Sequence, residues 1–250
     1  MKRFENTVAF ITGAGGGMGK AAAIRFAQEG AFVFAVDLSE ELLSATKQEV
    51  ISFGGKIEIC TANIADAQSV HNAVAQCIKS FGALQVLVNF AGITQNKKFD
   101  ALSVDEWERM LKVNLTGTFL TSQAAFQYMM KQGGGCITNI SSAAIYSGGG
   151  HIGTAHYTAS KAGVVGLSRA IAKEGAQYHI RCNVVCPGLT ETSMTASFLE
   201  TSREQSVQGI PLGRVGTPYD IVEAVMYLSS NQANYVTGAT LNVNGGLVMH

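Results

Sequence analysis

Short apolar runs alternate with amphipathic stretches along nearly the whole 250-residue chain. The apolar runs have the length of buried strands, and the stretches between them repeat apolar residues at helical spacing. This alternation is typical of a parallel sheet with helices on both faces. Strands are predicted near residues 7–13, 32–37, 56–62, 84–90, 135–141, 180–187 and 239–244, and helices near 19–30, 40–53, 66–81, 103–131, 157–177 and 218–230.

Residues with candidate chemistry cluster at the predicted carboxyl ends of these strands. In doubly wound α/β sheets, ligands bind at that edge. No linker, internal repeat or low-complexity segment interrupts the pattern. The chain is therefore predicted to be one domain over residues 1–250, with a parallel seven-stranded sheet. The residues at or near strand ends are Gly13, Asp37, Asn63, Asn89, Ser142 and Pro187.

A glycine-rich turn follows the first predicted strand and leads directly into the first helix. The spacing T-G-x-x-x-G-x-G is met by Thr12, Gly13, Gly17 and Gly19, with Met18 where the dinucleotide spacing G-x-G-x-x-G has its third glycine. Such a turn lets backbone N–H groups approach a pyrophosphate at the helix N-terminus. The next strand ends in Asp37, a position suited to the adenosine ribose hydroxyls. Together these features predict a Rossmann-type domain that binds NAD(H).

Tyr157 and Lys161 lie four residues apart in a predicted helix and therefore on one helix face. A phenol has a pKa of about 10 in water, and a nearby ammonium group favours the phenolate and lowers that pKa. The pair is suited to exchanging a proton with a carbonyl or hydroxyl oxygen. By itself this spacing also occurs by chance on solvated helices, so the pair gains weight only together with the glycine-rich turn.

At this point the chain resembles the classical short-chain dehydrogenase/reductase family, and the resemblance covers nearly all of it. The family's N-N-A-G segment is similar to Asn89–Gly92, and its catalytic segments are similar to those around Asn114 and Ser142. The P-G-x-x-x-T element is met by Pro187, Gly188 and Thr192. The C-terminal signature resembles residues 211–218, 236–238 and 244–246.

The resemblance implies a catalytic set of Asn114, Ser142, Tyr157 and Lys161. Ser142 is implied to hold the substrate oxygen, Lys161 to bond the nicotinamide ribose, and Asn114 to position a water in a proton relay. Strand alternation puts Ser141 and Ser142 on opposite faces, and the family's pattern favours Ser142. A helix-bending polar residue is the alternative interpretation of Asn114. The expected cofactor contacts are Gly13, Gly16, Gly17, Met18, Gly19, Asp37, Leu38, Asn63, Ile64, Asn89, Ala91, Gly92, Tyr157, Lys161, Pro187, Gly188, Thr190 and Thr192.

Several positions depart from the family's pattern or have no assigned role. Phe90 replaces the second Asn of N-N-A-G, where it is expected to alter packing more than chemistry. Asn63 and Ile64 stand where the family usually has Asp-Val beside the adenine, so adenine contact is expected in an altered form. His151 and His156 precede Tyr157, and each is interpreted as a solvated loop histidine. The interval from Ser142 to Tyr157 is slightly longer than the family's.

Composition narrows the functional classes further. The formal net charge is +0, which indicates no nucleic-acid surface, and no apolar run is long enough for a membrane span. The first strand follows Met1 so closely that no signal peptide is expected. The five cysteines are scattered, and Cys182 with Cys186 fits strand core better than a metal site, so no metal and a cytoplasmic location are expected.

The sequence thus predicts an NAD(H)-dependent alcohol dehydrogenase or ketone reductase with a small-molecule substrate. The alternative is a catalytically silent nucleotide-binding regulator or scaffold, and the intact catalytic set argues against it. Epimerisation is a third possibility, and dehalogenation is disfavoured by the intact glycine-rich turn. A lid-like segment at about 190–212, with Met194, Phe198 and Leu199, is expected to face the substrate. A 3-oxoacyl thioester, a cyclic or aryl ketone, and a sugar or polyol all stay open.

A homotetramer is expected from the helices near 103–131 and 157–177. Both carry apolar residues on more than one face, for example Phe119 and Phe126 in the first and Leu167 and Ile171 in the second. A helix of this kind is usually covered on both sides. The family resemblance implies that the second cover is the same helix pair of a neighbouring subunit, and a second two-fold contact is expected to bury the apolar C-terminus.

Overall fold

A computed structural model describes residues 2–150 and 153–249. Within these residues, seven strands form one sheet in the order β3-β2-β1-β4-β5-β6-β7, and every pairing is parallel. The predicted doubly wound α/β fold is confirmed. The strands are β1 (Val8–Thr12), β2 (Phe32–Asp37), β3 (Lys56–Thr61), β4 (Val86–Asn89), β5 (Gly135–Ile140), β6 (Ile180–Pro187) and β7 (Thr240–Val243).

The helices pack on both faces of this sheet. Local signals set several of their ends: the Asp66 side chain accepts the Ser69 N–H at the start of α3, and Gly82 ends that helix in the left-handed conformation. The helices are α1 (Gly17–Gln28), α2 (Glu40–Ser52), α3 (Ala67–Phe81), α4 (Val104–Leu111), α5 (Gly117–Gln132), α6 (Ala144–Ser147), α7 (Ala155–Gly175), α8 (Ala196–Gln208) and α9 (Pro218–Ser229).

Two features of the helices differ from the sequence prediction. The single helix predicted near 103–131 is divided, because residues Lys112–Thr116 form a π-helical turn between α4 and α5. The predicted lid-like segment contains a regular helix, α8, of which only Leu199 is buried. Its mostly polar sequence gives no apolar stripe, so periodicity alone did not predict it.

The core lies in two layers, one on each face of the sheet. Alternate residues of the central strands enter opposite layers: Ala9 and Ile11 of β1 enter one, and Val8 and Phe10 enter the other. Burial on both faces explains why the strands read as continuous apolar runs. The strand order reverses between β1 and β4, and ligand sites of doubly wound sheets lie at the carboxyl ends of the strands there. In the described part of the chain, no helix is long and apolar enough to cross a membrane.

Candidate active site

A cavity of about 300 Å³ lies at the carboxyl ends of β4, β5 and β6. It brings together residues that are far apart in the sequence: the end of the glycine-rich turn, the segment after β4, and the start of α7. Apolar residues from the lid-like segment and the C-terminus, among them Phe198 and Leu247, complete its wall. The predicted site residues that line it are Met18, Gly92, Ser142, Tyr157, Lys161, Pro187, Gly188, Thr190 and Thr192.

Ser142 and Tyr157 form the polar centre of this cavity. Ser142 follows β5, Tyr157 lies in the first turn of α7, and their side chains are hydrogen-bonded to each other. Burial raises the pKa of Tyr157, and the hydrogen bond from Ser142 acts in the opposite direction. Ser141 faces away, as strand alternation predicted: it is buried, and its hydroxyl donates to the Lys161 carbonyl at 2.8 Å. The Tyr157 phenol is therefore protonated at neutral pH. Both Tyr157 and Ser142 line the cavity.

Lys161 lies one turn beyond Tyr157, and its ammonium group is buried. Nζ donates to the Ile140 carbonyl at 2.9 Å and lies 5.9 Å from the centroid of the Tyr157 ring. Burial lowers the pKa of Lys161 to about 8. The expectation that this ammonium lowers the pKa of Tyr157 is wrong for this arrangement, because burial of the phenol dominates and the pKa of Tyr157 is raised.

Asn114 lies just behind the cavity, inside the π-helical turn, and is fully buried. Its side chain grips the backbone of the segment after β4: Oδ1 accepts the Ile93 N–H at 2.8 Å, and Nδ2 donates to the Ile93 carbonyl at 2.9 Å. Nδ2 also lies 3.1 Å from the Ser160 hydroxyl. A Cβ added to Gly92 would lie 3.1 Å from Asn114 Oδ1 and 3.5 Å from Lys161 Nζ, so Asn114 and Lys161 flank the same glycine. π-Helical turns are frequent at functional sites.

The glycine-rich turn has the shape that a pyrophosphate needs. Gly13 has a φ of +70°, and a Cβ there would lie 2.8 Å from the Ala91 nitrogen, so the turn packs directly on the segment after β4. A Cβ on Gly19 would overlap the Gly13 carbonyl, whereas Gly16 faces open space. Gly17 begins α1 and lies against Thr192. The open side of the turn at a helix N-terminus fits the diphosphate of a dinucleotide.

Asp37 at the end of β2 is held in place by two backbone N–H groups. Oδ2 accepts from Gly15 at 3.0 Å, and Oδ1 accepts from Ser39 at 3.2 Å. Gly15 was not among the predicted contacts, although a Cβ there would meet the Asp37 carboxylate and Leu42. The neighbouring Leu38 is 68% exposed. The carboxylate is thus fixed and half-buried beside an exposed apolar residue, which fits a ribose with an adjacent adenine.

Asn63 and Ile64 follow β3 and differ in exposure. The Asn63 side chain is exposed, and its Oδ1 accepts the Ala65 N–H at 2.9 Å, which leaves the amide donors for a ligand. Ile64 is buried, and a Cβ on Gly117 would lie 2.7 Å from its Cδ1. Of this pair, only Asn63 presents a polar group at the predicted adenine side.

Asn89 turns its side chain into the core rather than toward the cofactor side. Nδ2 donates to Asn139 Oδ1 at 2.8 Å, and Oδ1 accepts from the Thr121 hydroxyl at 2.9 Å. Asn139 extends this buried network by donating to Ser168 at 2.9 Å. The Thr12 hydroxyl accepts the Ala91 N–H at 3.2 Å. These hydrogen bonds hold the segment after β4, and the cofactor contacts predicted for Asn89 and Ala91 stay predictions. Asn139 was missed because its strand reads as plain core.

Comparisons with known proteins agree with this geometry. A family model described as enoyl-(acyl carrier protein) reductase matches residues 13–248. The 3-oxoacyl-[acyl-carrier-protein] reductase FabG of Thermotoga maritima is 40% identical over 248 residues, which cover 99% of this chain and 100% of that protein. The chain belongs to the classical short-chain dehydrogenase/reductase family.

Other members of the short-chain dehydrogenase/reductase family are similar over the same length. The (3R)-3-hydroxyacyl-CoA dehydrogenase of Canis lupus familiaris is 38% identical over 256 residues, covering 99% of this chain and 98% of that protein. The crystal structure of a short-chain type dehydrogenase/reductase from Mycobacterium marinum has a TM-score of 0.95 at 31% identity, covering 99% of this chain and 97% of that chain. The protein is thus an oxidoreductase of a family that uses a nicotinamide cofactor.

One residue of this short-chain dehydrogenase/reductase needs a revised interpretation. The view of His156 as a solvated loop histidine is wrong: it lies in the first turn of α7, is fully buried, and has Nε2 at 3.0 Å from Gln95 Oε1. Phe90 packs against the core and also lines the cavity. His151 lies outside the described residues. Over residues 2–150 and 153–249, no group of three or more His, Cys, Asp or Glu residues could hold a metal ion.

Proposed function

We propose that this protein is an NAD(H)-dependent oxidoreductase that interconverts a secondary alcohol and a ketone, with Tyr157 exchanging the proton. The observation that carries the proposal is the shared cavity of Ser142, Tyr157 and Lys161, which opens beside Met18 at the end of the glycine-rich turn. A proton-exchanging phenol and a dinucleotide cradle are thus parts of one site.

Ser142 and Tyr157 act on the substrate oxygen from the same side. In the direction of reduction, the Ser142 hydroxyl holds the carbonyl oxygen, and the half-buried, protonated phenol of Tyr157 gives its proton to the alkoxide as that charge develops. In oxidation, the phenolate of Tyr157 takes the proton from the substrate hydroxyl and becomes the phenol. The nicotinamide, when bound, supplies or accepts the hydride. The Ser142 and Tyr157 side chains are already hydrogen-bonded to each other, so a substrate carbonyl oxygen would accept hydrogen bonds from two hydroxyl groups that lie close together.

Lys161 and Asn114 lie behind Tyr157, and we propose that they relay the proton that Tyr157 exchanges. Lys161, with its pKa lowered to about 8, would exchange protons near neutral pH, and its ammonium group would bond the nicotinamide ribose. Asn114, across Gly92 from Lys161, would hold the water that passes the proton on. Asn114 also fixes Ile93, so the same side chain shapes the wall of the cavity.

The cofactor preference is proposed to be NAD(H). Gly13, Gly16, Gly17 and Gly19 would hold the diphosphate, and Asp37 would accept hydrogen bonds from the adenosine ribose hydroxyls. A 2′-phosphate at that ribose would meet the fixed Asp37 carboxylate, and no Arg or Lys stands at positions 16 or 38 to offset the repulsion.

A 3-oxoacyl or 3-hydroxyacyl thioester is the substrate class we propose. Both named relatives act, by their names, at the third carbon of an acyl chain carried on acyl carrier protein or coenzyme A. The cavity suits an acyl chain because its far wall is apolar. That wall comes from the lid-like segment and the C-terminus: Met194, Phe198, Ile210 and Leu247. The segment at about 190–212 would close over the substrate.

The direct test is NADH oxidation by the purified protein with acetoacetyl-CoA, with a cyclic ketone and a polyol (assayed with NAD) as comparison substrates. The proposal expects turnover of the thioester and its loss in Ser142→Ala. A protein that binds NADH but turns over none of these substrates would instead fit the nucleotide-binding regulator or scaffold.

We also propose a homotetramer. Phe119 on α5 is 40% exposed, and near the C-terminus Leu212 and Met249 are 71% and 77% exposed. Two separate apolar surfaces fit two different two-fold contacts. Light scattering at micromolar concentration tests this, and a stable, fully active species near the 26.3 kDa chain mass would contradict it.

A further inference from the structure

His156 is a buried, titratable residue directly before Tyr157, and the mechanism above gives it no role. Its ring is fully buried, and among the described residues its Nδ1 has no hydrogen-bond partner. Its Nε2 lies 3.0 Å from Gln95 Oε1. Gln95 links this buried imidazole to a second residue, Glu106.

A hydrogen-bond chain runs from α7 to α4 through Gln95. Gln95 Nε2 donates to Glu106 Oε1 at 2.8 Å, so the amide is oriented with Oε1 toward His156. Because an amide oxygen only accepts, His156 must carry its proton on Nε2. Glu106 in turn closes the capping box of α4 with Ser103 and pairs with Lys97 Nζ at 3.3 Å. The hydrogen-bond chain therefore ends at the Glu106 carboxylate, which Ser103 and Lys97 hold in place.

Gln95 is the middle of three alternate residues that fasten the 93–97 segment. Ile93 is held at both its N–H and its carbonyl by Asn114. Lys97 is held in the same way by the Thr154 hydroxyl, which accepts its N–H at 3.2 Å and donates to its carbonyl at 2.7 Å. Thr154 is the N-cap residue of α7, yet its side chain makes no capping hydrogen bond. The segment thus connects Asn114 at one end with the start of the Tyr157 helix at the other.

We infer that His156 is a positioning residue: the His156–Gln95–Glu106 hydrogen-bond chain fixes the first turn of α7 against the 93–97 segment and thereby sets Tyr157 relative to Asn114 and the cavity wall. The inference rests on the proposed function for its catalytic consequence. Small misplacements of a reacting group cost large factors in rate, on the order of a hundredfold for ~1 Å.

The test compares kcat, the Kd for NADH, and backbone amide exchange in matched variants. His156→Ala and Gln95→Ala should each lower kcat for acetoacetyl-CoA about tenfold, with the Kd for NADH unchanged, because neither residue is at the dinucleotide cradle. His156→Gln places an amide N–H where Nε2 stands and should restore kcat to within about threefold of wild type, whereas His156→Asn is one bond too short and should not. Lys98→Ala, an exposed neighbour of the segment, is the control and should match wild type.

Two further readouts separate positioning from general damage. If the two residues act through one hydrogen bond, the double variant His156→Ala/Gln95→Ala should lose no more kcat than either single variant. In the cofactor-free protein, the amides of Ile93 and Lys97 should exchange faster in both single variants.

Several results would overturn the inference: wild-type kcat in His156→Ala, equal impairment of His156→Gln and His156→Ala, multiplicative losses in the double variant, or unchanged exchange at Ile93 and Lys97. Amide exchange needs no turnover. If the wild-type protein reduces no substrate, the proposed function fails, while exchange still tests the contact. If His156→Ala does not fold, Gln95→Ala carries the same readouts.

Discussion

Asp37→Asn is the most informative substitution at the proposed cofactor site. The Asp37 carboxylate is half-buried, and it is held by the Gly15 N–H at 3.0 Å and the Ser39 N–H at 3.2 Å. An asparagine keeps one oxygen to accept the Gly15 N–H, but it removes the charge and the acceptor of the Ser39 N–H. Asp37→Asn therefore changes the electrostatics of the ribose site while leaving the glycine-rich turn in place.

The size of the effect follows from two contributions. A 2′-phosphate charge about 4 Å from the carboxylate is repelled by about 1 kcal/mol in water and about 4 kcal/mol near a protein surface, so a half-buried site gives roughly 2 kcal/mol. A charged hydrogen bond to the ribose hydroxyls adds about 1.5 kcal/mol in favour of NADH. Together they predict a preference for NADH of roughly 300-fold, at about 1.4 kcal/mol per factor of ten.

The measurement is the Kd for NADH and for NADPH, by fluorescence titration, at low and high salt. In Asp37→Asn the preference should fall to about fivefold, because the repulsion is gone and only a neutral hydrogen bond of about 1 kcal/mol stays. The wild-type preference should weaken with salt, which screens the repulsion, and that of the variant should not. The double variant Asp37→Ala/Leu38→Arg should turn toward NADPH. Tenfold better catalytic efficiency of the wild type with NADPH, or an unchanged ratio in Asp37→Asn, would refute the reasoning.

Two more predictions concern buried polar groups. Burial lowers the pKa of Lys161 to about 8, from an ordinary value of about 10.4, so folding disfavours the charged form. Lys161→Met should therefore raise the free energy of unfolding relative to wild type by roughly 3 kcal/mol below pH 8, and this gain should vanish as the pH rises toward about 10.5. Urea unfolding of the cofactor-free proteins measures the difference. A difference that does not change between pH 8 and 10.5 would contradict this. Asn139→Ala removes the buried oxygen that accepts from Asn89 Nδ2 and the amide that donates to the Ser168 hydroxyl, although Asn89 Nδ2 keeps Ser122 and the Ser168 hydroxyl keeps the Val164 carbonyl as partners. The variant should lower the free energy of unfolding by about 2–4 kcal/mol, and a loss below about 1 kcal/mol would show that water replaces the amide.

Much of this fold was predictable because its sequence signals are local. Strand β2 and strand β6 begin and end where the apolar runs predicted, and the other strands differ by a residue or two. Parallel strands buried on both faces leave apolar runs in the sequence, such as residues 8–11 of β1 and 32–36 of β2. Part of the cavity lining was likewise predictable, since Ser142 and Pro187 lie at strand ends and Tyr157 lies in the first turn of α7.

What the sequence did not predict depends on tertiary contacts. Burial of His156 requires Gln95, which is 61 positions away, and nothing local in either residue signals the pair. The inward turn of Asn89 requires Asn139 on the neighbouring strand. The raised pKa of Tyr157 was mispredicted because spacing alone placed Lys161 beside the phenol, whereas its ammonium group bonds the Ile140 carbonyl.

The measurement that tests the central claim most directly is the effect of Tyr157→Phe on turnover and on cofactor binding in the same preparation. Phenylalanine keeps the ring but cannot carry the proton, so kcat for acetoacetyl-CoA should fall by about 10² to 10⁴. The Kd for NADH should stay within about twofold of wild type, because the ring still fills its place in the cavity wall. Retention of most of the wild-type kcat by Tyr157→Phe would contradict the account and would make another group the proton donor.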